Sequence, residues 1–153
     1  MAIDFDLLKK LRAETGISFS LCKKALEETN NNIEEAKKKL NEWSIKKAAD
    51  KADREAGQGG IFSYVHHNKK VASLLELRSE TDFVSGNAEY QQLGAELAMQ
   101  IASVPAKDIE EFLTQPYIRD PKKAIKDLIQ EAVLKFGENI QIARFIRWEL
   151  GEK

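Results

Sequence analysis

The sequence predicts an α+β protein in three parts: a bundle of three helices over residues 1–45, a helical linker over 46–60, and a small antiparallel sheet covered by helices over 61–153. Apolar residues recur at helical spacing as far as Trp43. A densely charged stretch with few large apolar side chains then runs into Gly57-Gln58-Gly59-Gly60, and beyond those glycines the period drops to two.

Phe5, Leu8 and Leu11 form one helix face, with Asp4 placed to cap the first turn and Gly16 to end the last. Ser18 caps a second helix that turns Cys22, Ala25 and Leu26 inward and Lys23, Lys24, Glu27 and Glu28 outward. Asn32 with Glu35 has capping-box spacing, and Ile33, Ala36, Leu40 and Trp43 build a third face. Residues 45–56 read as a helical linker ending at a flexible glycine boundary. Ile61 to Val65 and Val71 to Leu77 are strands joined by a turn around His67 to Lys70. Asn87 starts a helix striped by Tyr90, Leu93, Leu97 and Ile101, stopped by Pro105, and a shorter helical turn covers Asp108 to Leu113. Asp120-Pro121 reads as the start of a helix that Gly137 ends. The closing strand puts Ile140, Ile142, Ile146, Trp148 and Leu150 on one face, with Arg144 the one charge there.

Composition narrows the function. The 153 residues carry 24 Lys+Arg against 25 Asp+Glu, a balance unlike the basic footprint of a nucleic-acid binder. No window approaches the uncharged apolar run a membrane span needs, and the acidic start MAIDFD is unlike a signal peptide, so a cytoplasmic location is expected. The single cysteine, Cys22, makes no intramolecular disulfide and reads as a small buried residue rather than a nucleophile. His66 and His67 are adjacent, so on a strand they point to opposite faces and do not share a metal. Glu80 and Asp82 lack a matched nucleophile or a phosphate-binding glycine loop. Neither enzyme chemistry, cofactor nor metal is expected, and partners are expected to be proteins.

The informative stretch is Ser79 to Asn87, which leaves a strand and enters a helix through a large aromatic beside a carboxylate. Phe83 either folds back into the core while Asp82 caps the coming helix, or protrudes as an apolar anchor beside a charge. Composition alone favours the first.

Five segments in order carry a resemblance: Leu11-Arg12-Ala13-Glu14-Thr15-Gly16, Cys22-Lys23-Lys24-Ala25-Leu26, Lys46-Lys47-Ala48-Ala49, Glu80-Thr81-Asp82-Phe83-Val84, and Gly137-Glu138-Asn139-Ile140 with Arg144-Phe145. Over essentially its whole length the chain resembles the elongation factor Ts family, guanine-nucleotide exchange factors of the GTPase elongation factor Tu. The resemblance implies a bundle similar to ubiquitin-associated domains that docks on the GTPase. It also implies a loop, Thr81, Asp82, Phe83 and Val84, that reaches toward the helices behind the nucleotide site. Arg12 matches the family's docking surface. After Thr15-Gly16 the family usually has a small residue, Gly, two methionines and Asp, whereas here stand Ile17, Ser18, Phe19, Ser20 and Leu21, with Phe19 at the first methionine's position. Short members of the family pair as homodimers, so a two-fold dimer through the core sheet is expected. The alternative is a ubiquitin-associated-like adaptor that binds a protein without exchanging nucleotide.

Overall fold

Each helix of the N-terminal bundle starts at a side chain that accepts backbone N–H groups left over by the first turn. In the computed structural model, which describes residues 2–152, Asp4 accepts from Asp6 and Leu7 ahead of α1 (Phe5–Thr15), and Gly16 ends that helix with φ 67°. Ser18 caps α2 (Phe19–Glu28), and Asn32 caps α3 (Ile33–Lys51). Leu8, Leu11, Ile17, Cys22, Ala25, Leu26, Ala36 and Leu40 form one core.

Helix α3 does not stop where the bundle was expected to end. It runs unbroken to Lys51 along a stripe in which Leu40 belongs to the bundle core, Ser44 is fully buried, and Ala48 packs against the second core. Small residues at this four-residue spacing let one helix lie close on another, and α3 packs on α7 (Ile125–Phe136). Leu134 of α7 in turn completes the bundle core.

Of the glycines expected to form a flexible boundary, Gly59 and Gly60 are instead strand: β1 spans Gln58–Val65 and pairs antiparallel with β2 (Val71–Ser79). β2 also pairs with β5 (Gln141–Glu149), giving the sheet order β1-β2-β5. Three of the helices that follow, α4 (Asp82–Ser85), α5 (Ala88–Ser103) and α6 (Ile109–Thr114), precede a two-stranded ribbon, β3 (Pro116–Tyr117) with β4 (Asp120–Ala124). Asp120-Pro121 therefore opens a strand, not a helix. Pairing with β3 claims those residues, and α7 begins at Ile125, where the Asp127 carboxylate accepts from the Ala124 N–H at 2.8 Å.

Leu75, Leu77, Tyr90, Leu97, Ile101, Phe112, Ile125 and Val133 are buried between sheet and helices. Tyr90 ties α5 to the sheet by donating to the Leu77 carbonyl at 2.6 Å, and Ser73 donates to Ala98 O at 2.6 Å. The Phe62 ring lies against α5 at Gly94, where a built Cβ would come within 2.5 Å of its ring carbons.

β5 departs from strict alternation. A register shift opposite Glu76/Leu77 leaves Ala143 without a partner, so Ile142 pairs with Leu77 while Arg144 pairs with Glu76. Past that bulge the faces exchange. Phe145 stacks near Phe112 (ring centroids 5.4 Å apart) and Arg147 donates to Ala102 O at 3.1 Å, while Ile146 and Trp148 point outward. With Ile61, Val65 and Leu74 they leave an exposed apolar patch on the sheet's outer face.

Candidate functional site

The segment after β2 is built around one carboxylate. Glu138, the residue beyond the Gly137 cap of α7, accepts from the backbone N–H of Glu80 (3.1 Å), the N–H of Thr81 (3.0 Å) and the Thr81 hydroxyl (2.6 Å). Glu80 pairs with Arg54 at 2.5 Å and accepts from the Asn139 N–H at 3.3 Å. The buried Asn139 side chain donates to Arg54 O at 2.7 Å, and Gln141 donates to Ala52 O at 3.0 Å. Three distant stretches of chain, 52–54, 80–81 and 138–141, are thereby tied together.

From that knot α4 projects. Thr81 caps it, its hydroxyl taking the Val84 N–H at 3.4 Å, and Ser85 returns a bond to the Asp82 carbonyl. Behind it Gln91 donates to Ser85 O at 2.6 Å, and Asn87 caps α5 by accepting from Glu89. Val84 packs on the core and Ser85 is buried. Asp82 is exposed, and the Phe83 ring is 90% exposed. The inward alternative for Phe83 is thus not what the structure adopts. Asn87, rather than Asp82, caps the long helix.

Arg12 and Phe19 lie on the bundle. Arg12 is exposed on α1 and makes no ion pair among the described residues. Phe19, the first residue of α2, is 47% exposed, while Ile17 is buried and Leu21 packs on the bundle core. The turn between α1 and α2 meets the core at Lys135, whose Nζ would lie 2.6 Å from a Cβ on Gly16 and which pairs with Glu89 at 2.5 Å. Glu89 sits in the first turn of α5, soon after the Phe83 turn. One lysine therefore links the bundle's exposed turn to the segment carrying Phe83.

The remaining candidates fall outside this arrangement. His66 and His67 lie past the end of β1, where strand alternation no longer applies, and their rings sit 4.2 Å apart with the Tyr64 hydroxyl 2.8 Å from His66 Nδ1. Among the described residues, no group of three or more His, Cys, Asp or Glu gathers where it could hold a metal ion. Cys22 is buried, and burial pushes its thiol up, away from thiolate. No helix of the described residues is long and apolar enough to cross a membrane.

Residue-by-residue reading missed Glu138, Glu80 and Arg54 as one unit. Glu138 lies 57 positions from Thr81, and its only local signal is its place just beyond a helix-ending glycine.

Fold and geometry define a two-core α+β protein that holds an aromatic ring out on a braced turn. Comparison with known proteins narrows this. The family described as Elongation factor TS matches residues 80–153, and the family described as Elongation factor Ts, mitochondrial, N-terminal matches residues 1–49. Elongation factor Ts of Thermodesulfovibrio yellowstonii is 36% identical over 196 residues, covering 99% of this chain and 98% of that one. Elongation factor Ts of Fervidobacterium nodosum is 36% identical over 197 residues, covering 99% and 100%. Those spans exceed the chain's 153 residues, so both relatives carry internal residues that have no counterpart here. The chain belongs to the elongation factor Ts family, a family of translation elongation factors.

Proposed function

We propose that this protein is a guanine-nucleotide exchange factor that binds the GDP form of elongation factor Tu and promotes GDP release. The observation that carries the reading is Phe83, 90% exposed on a turn whose backbone is held by Glu138 on one side and Gln91 on the other. An apolar ring of this size held in water gains most when it enters an apolar pocket on a partner. Entering between partner helices, it would displace one of them, with Asp82 beside it and with Thr81 and Val84 fixing the turn. Arg12 and Phe19 supply a second contact from the bundle, at which Phe19 stands in for the family's methionine.

No covalent step is needed. A factor that binds the nucleotide-poor GTPase more tightly than the GDP-bound form must, by linkage, weaken GDP binding by the same factor. Mg²⁺ and nucleotide belong to the partner. We further propose a two-fold homodimer through the outer sheet face, where Ile61, Val65, Leu74, Ile146 and Trp148 are all exposed.

Release of a fluorescent GDP analogue from purified elongation factor Tu, with and without this protein, tests the function. Catalytic amounts are expected to accelerate release. Tight binding with an unchanged release rate would refute exchange and favour the adaptor.

A further inference from the structure

We infer that Glu138 is the positioning residue of the exchange turn: its carboxylate, not the four-residue helix α4 itself, holds Phe83 in its outward orientation. The inference rests on the reading of Phe83 as the working side chain.

A helix of one turn has almost no stability of its own, because nucleation fixes several dihedral angles for a single hydrogen bond. α4 spans only Asp82–Ser85, so its direction must be imposed from outside. Glu138 does this with three hydrogen bonds, at 3.1, 3.0 and 2.6 Å, to the two residues immediately before α4. Two of the donors are consecutive backbone amides, so the carboxylate fixes peptide planes rather than one rotatable side chain. The third bond works as a relay. A hydroxyl has one proton, and Thr81 spends it on Glu138 Oε2 at 2.6 Å, which turns its lone pairs toward the Val84 N–H at 3.4 Å. That last bond is long and depends on the hydroxyl's orientation.

Glu138 is itself well placed to act as a fixed point. It is half-buried and follows Gly137, whose left-handed φ of 71° ends α7. Asn139 beside it is buried and bonded to Arg54 O. Phe83 is thus aimed by the end of α7, the helix that also meets the bundle.

The test uses full-length protein as wild type, Glu138→Ala, Glu138→Gln, Phe83→Ala and the Glu138→Ala/Phe83→Ala double variant. Two quantities are read: amide hydrogen exchange at Glu80 and Thr81 in the isolated protein, and the maximal rate of GDP release at saturating factor. Glu138→Ala is expected to speed exchange at both amides by roughly tenfold or more, since the bonds protecting them are gone. It should lower maximal release roughly fivefold, yet add no further loss in the Phe83→Ala background, because residues that act through one another are not additive. Glu138→Gln keeps one carbonyl oxygen for the two amides but sets an NH2 group where Thr81 donates, so it should leave both amides protected and lower release by less than Glu138→Ala does. Losses that multiply in the double variant would overturn the proposal, since they would mark a general structural effect. Impaired release with Phe83→Ala but normal release with Glu138→Ala would overturn it alone. Normal release with Phe83→Ala would overturn the reading of the site and this inference with it. Should Glu138→Ala fail to fold, Glu138→Asp, with a carboxylate one methylene shorter, takes its place under the same criteria.

Discussion

Truncating Phe83 to alanine separates what the ring does for its own fold from what it does for a partner. In the free protein the ring is 90% exposed, so its removal takes almost nothing from the core that Tyr90, Leu77 and Leu97 share. Surface substitutions of this kind change stability by no more than about 0.5 kcal/mol. In a complex the same ring would pass from water into an apolar pocket, a transfer worth about 1.5–3 kcal/mol for a fully buried phenylalanine. At about 1.4 kcal/mol per tenfold, exchange efficiency should fall by roughly ten- to a hundredfold. Stopped-flow release of a fluorescent GDP analogue from elongation factor Tu measures the second effect, and urea unfolding measures the first. Undiminished release together with a lowered urea midpoint would refute the reasoning, because it would make Phe83 a structural residue.

Further outcomes follow from other parts of the molecule. Gly94→Ala should lower stability: its Cβ would come within 2.5 Å of Phe62 ring carbons, an overpacking cost of about 1–3 kcal/mol that exceeds the gain of up to about 1 kcal/mol in helix propensity. A raised melting temperature would contradict that packing. Burial pushes Tyr90 up to about 12, and burial followed by the Glu96 charge pushes Tyr117 up to about 12. Folded values above the ordinary 10.0 mean that the native state holds these protons harder than the unfolded chain does. Their contribution to stability is therefore complete below about pH 10 and lost as the pH rises toward 12, so the urea midpoint should fall between about pH 10 and 12. Tyr90→Phe should make that fall shallower. Trp148→Glu, on the outer sheet face where Trp148 is 71% exposed, should convert the proposed dimer to monomer in sedimentation, while an unchanged sedimentation coefficient would move the interface elsewhere.

Local signals were easy to read in this chain. Asp4, Ser18, Asn32, Asn87 and Asp108 all cap the helices they precede, because a cap is decided by one side chain and the next three amides. What stayed hidden depends on distant partners. Asp120-Pro121 carries a helix-start signal, but pairing of β4 with β3 overrides it. The bulge at Ala143 leaves every residue type unchanged and still exchanges the two faces of β5. Residues 46–51 are helical and mostly exposed, as the charged stretch implied, but Ala48 among them packs against the second core, a contact too small to show in the hydrophobic pattern. At the site, the Thr81-Asp82-Phe83-Val84 segment stood out as a loop with an aromatic beside an acid. Its outward direction came only from the family resemblance and not from composition, because the bonds that brace it come from Glu138 and Gln91 elsewhere in the chain.

Leu40 and Ala48 sit on one helical rod but serve different hydrophobic cores, and Leu134 crosses back in the other direction. The bundle is therefore no detachable cartridge. Grafting it from one relative onto another would carry a piece of the second core's wall along with it and leave the incoming bundle sealed by a foreign leucine, so the two halves must change in concert or lose their fit.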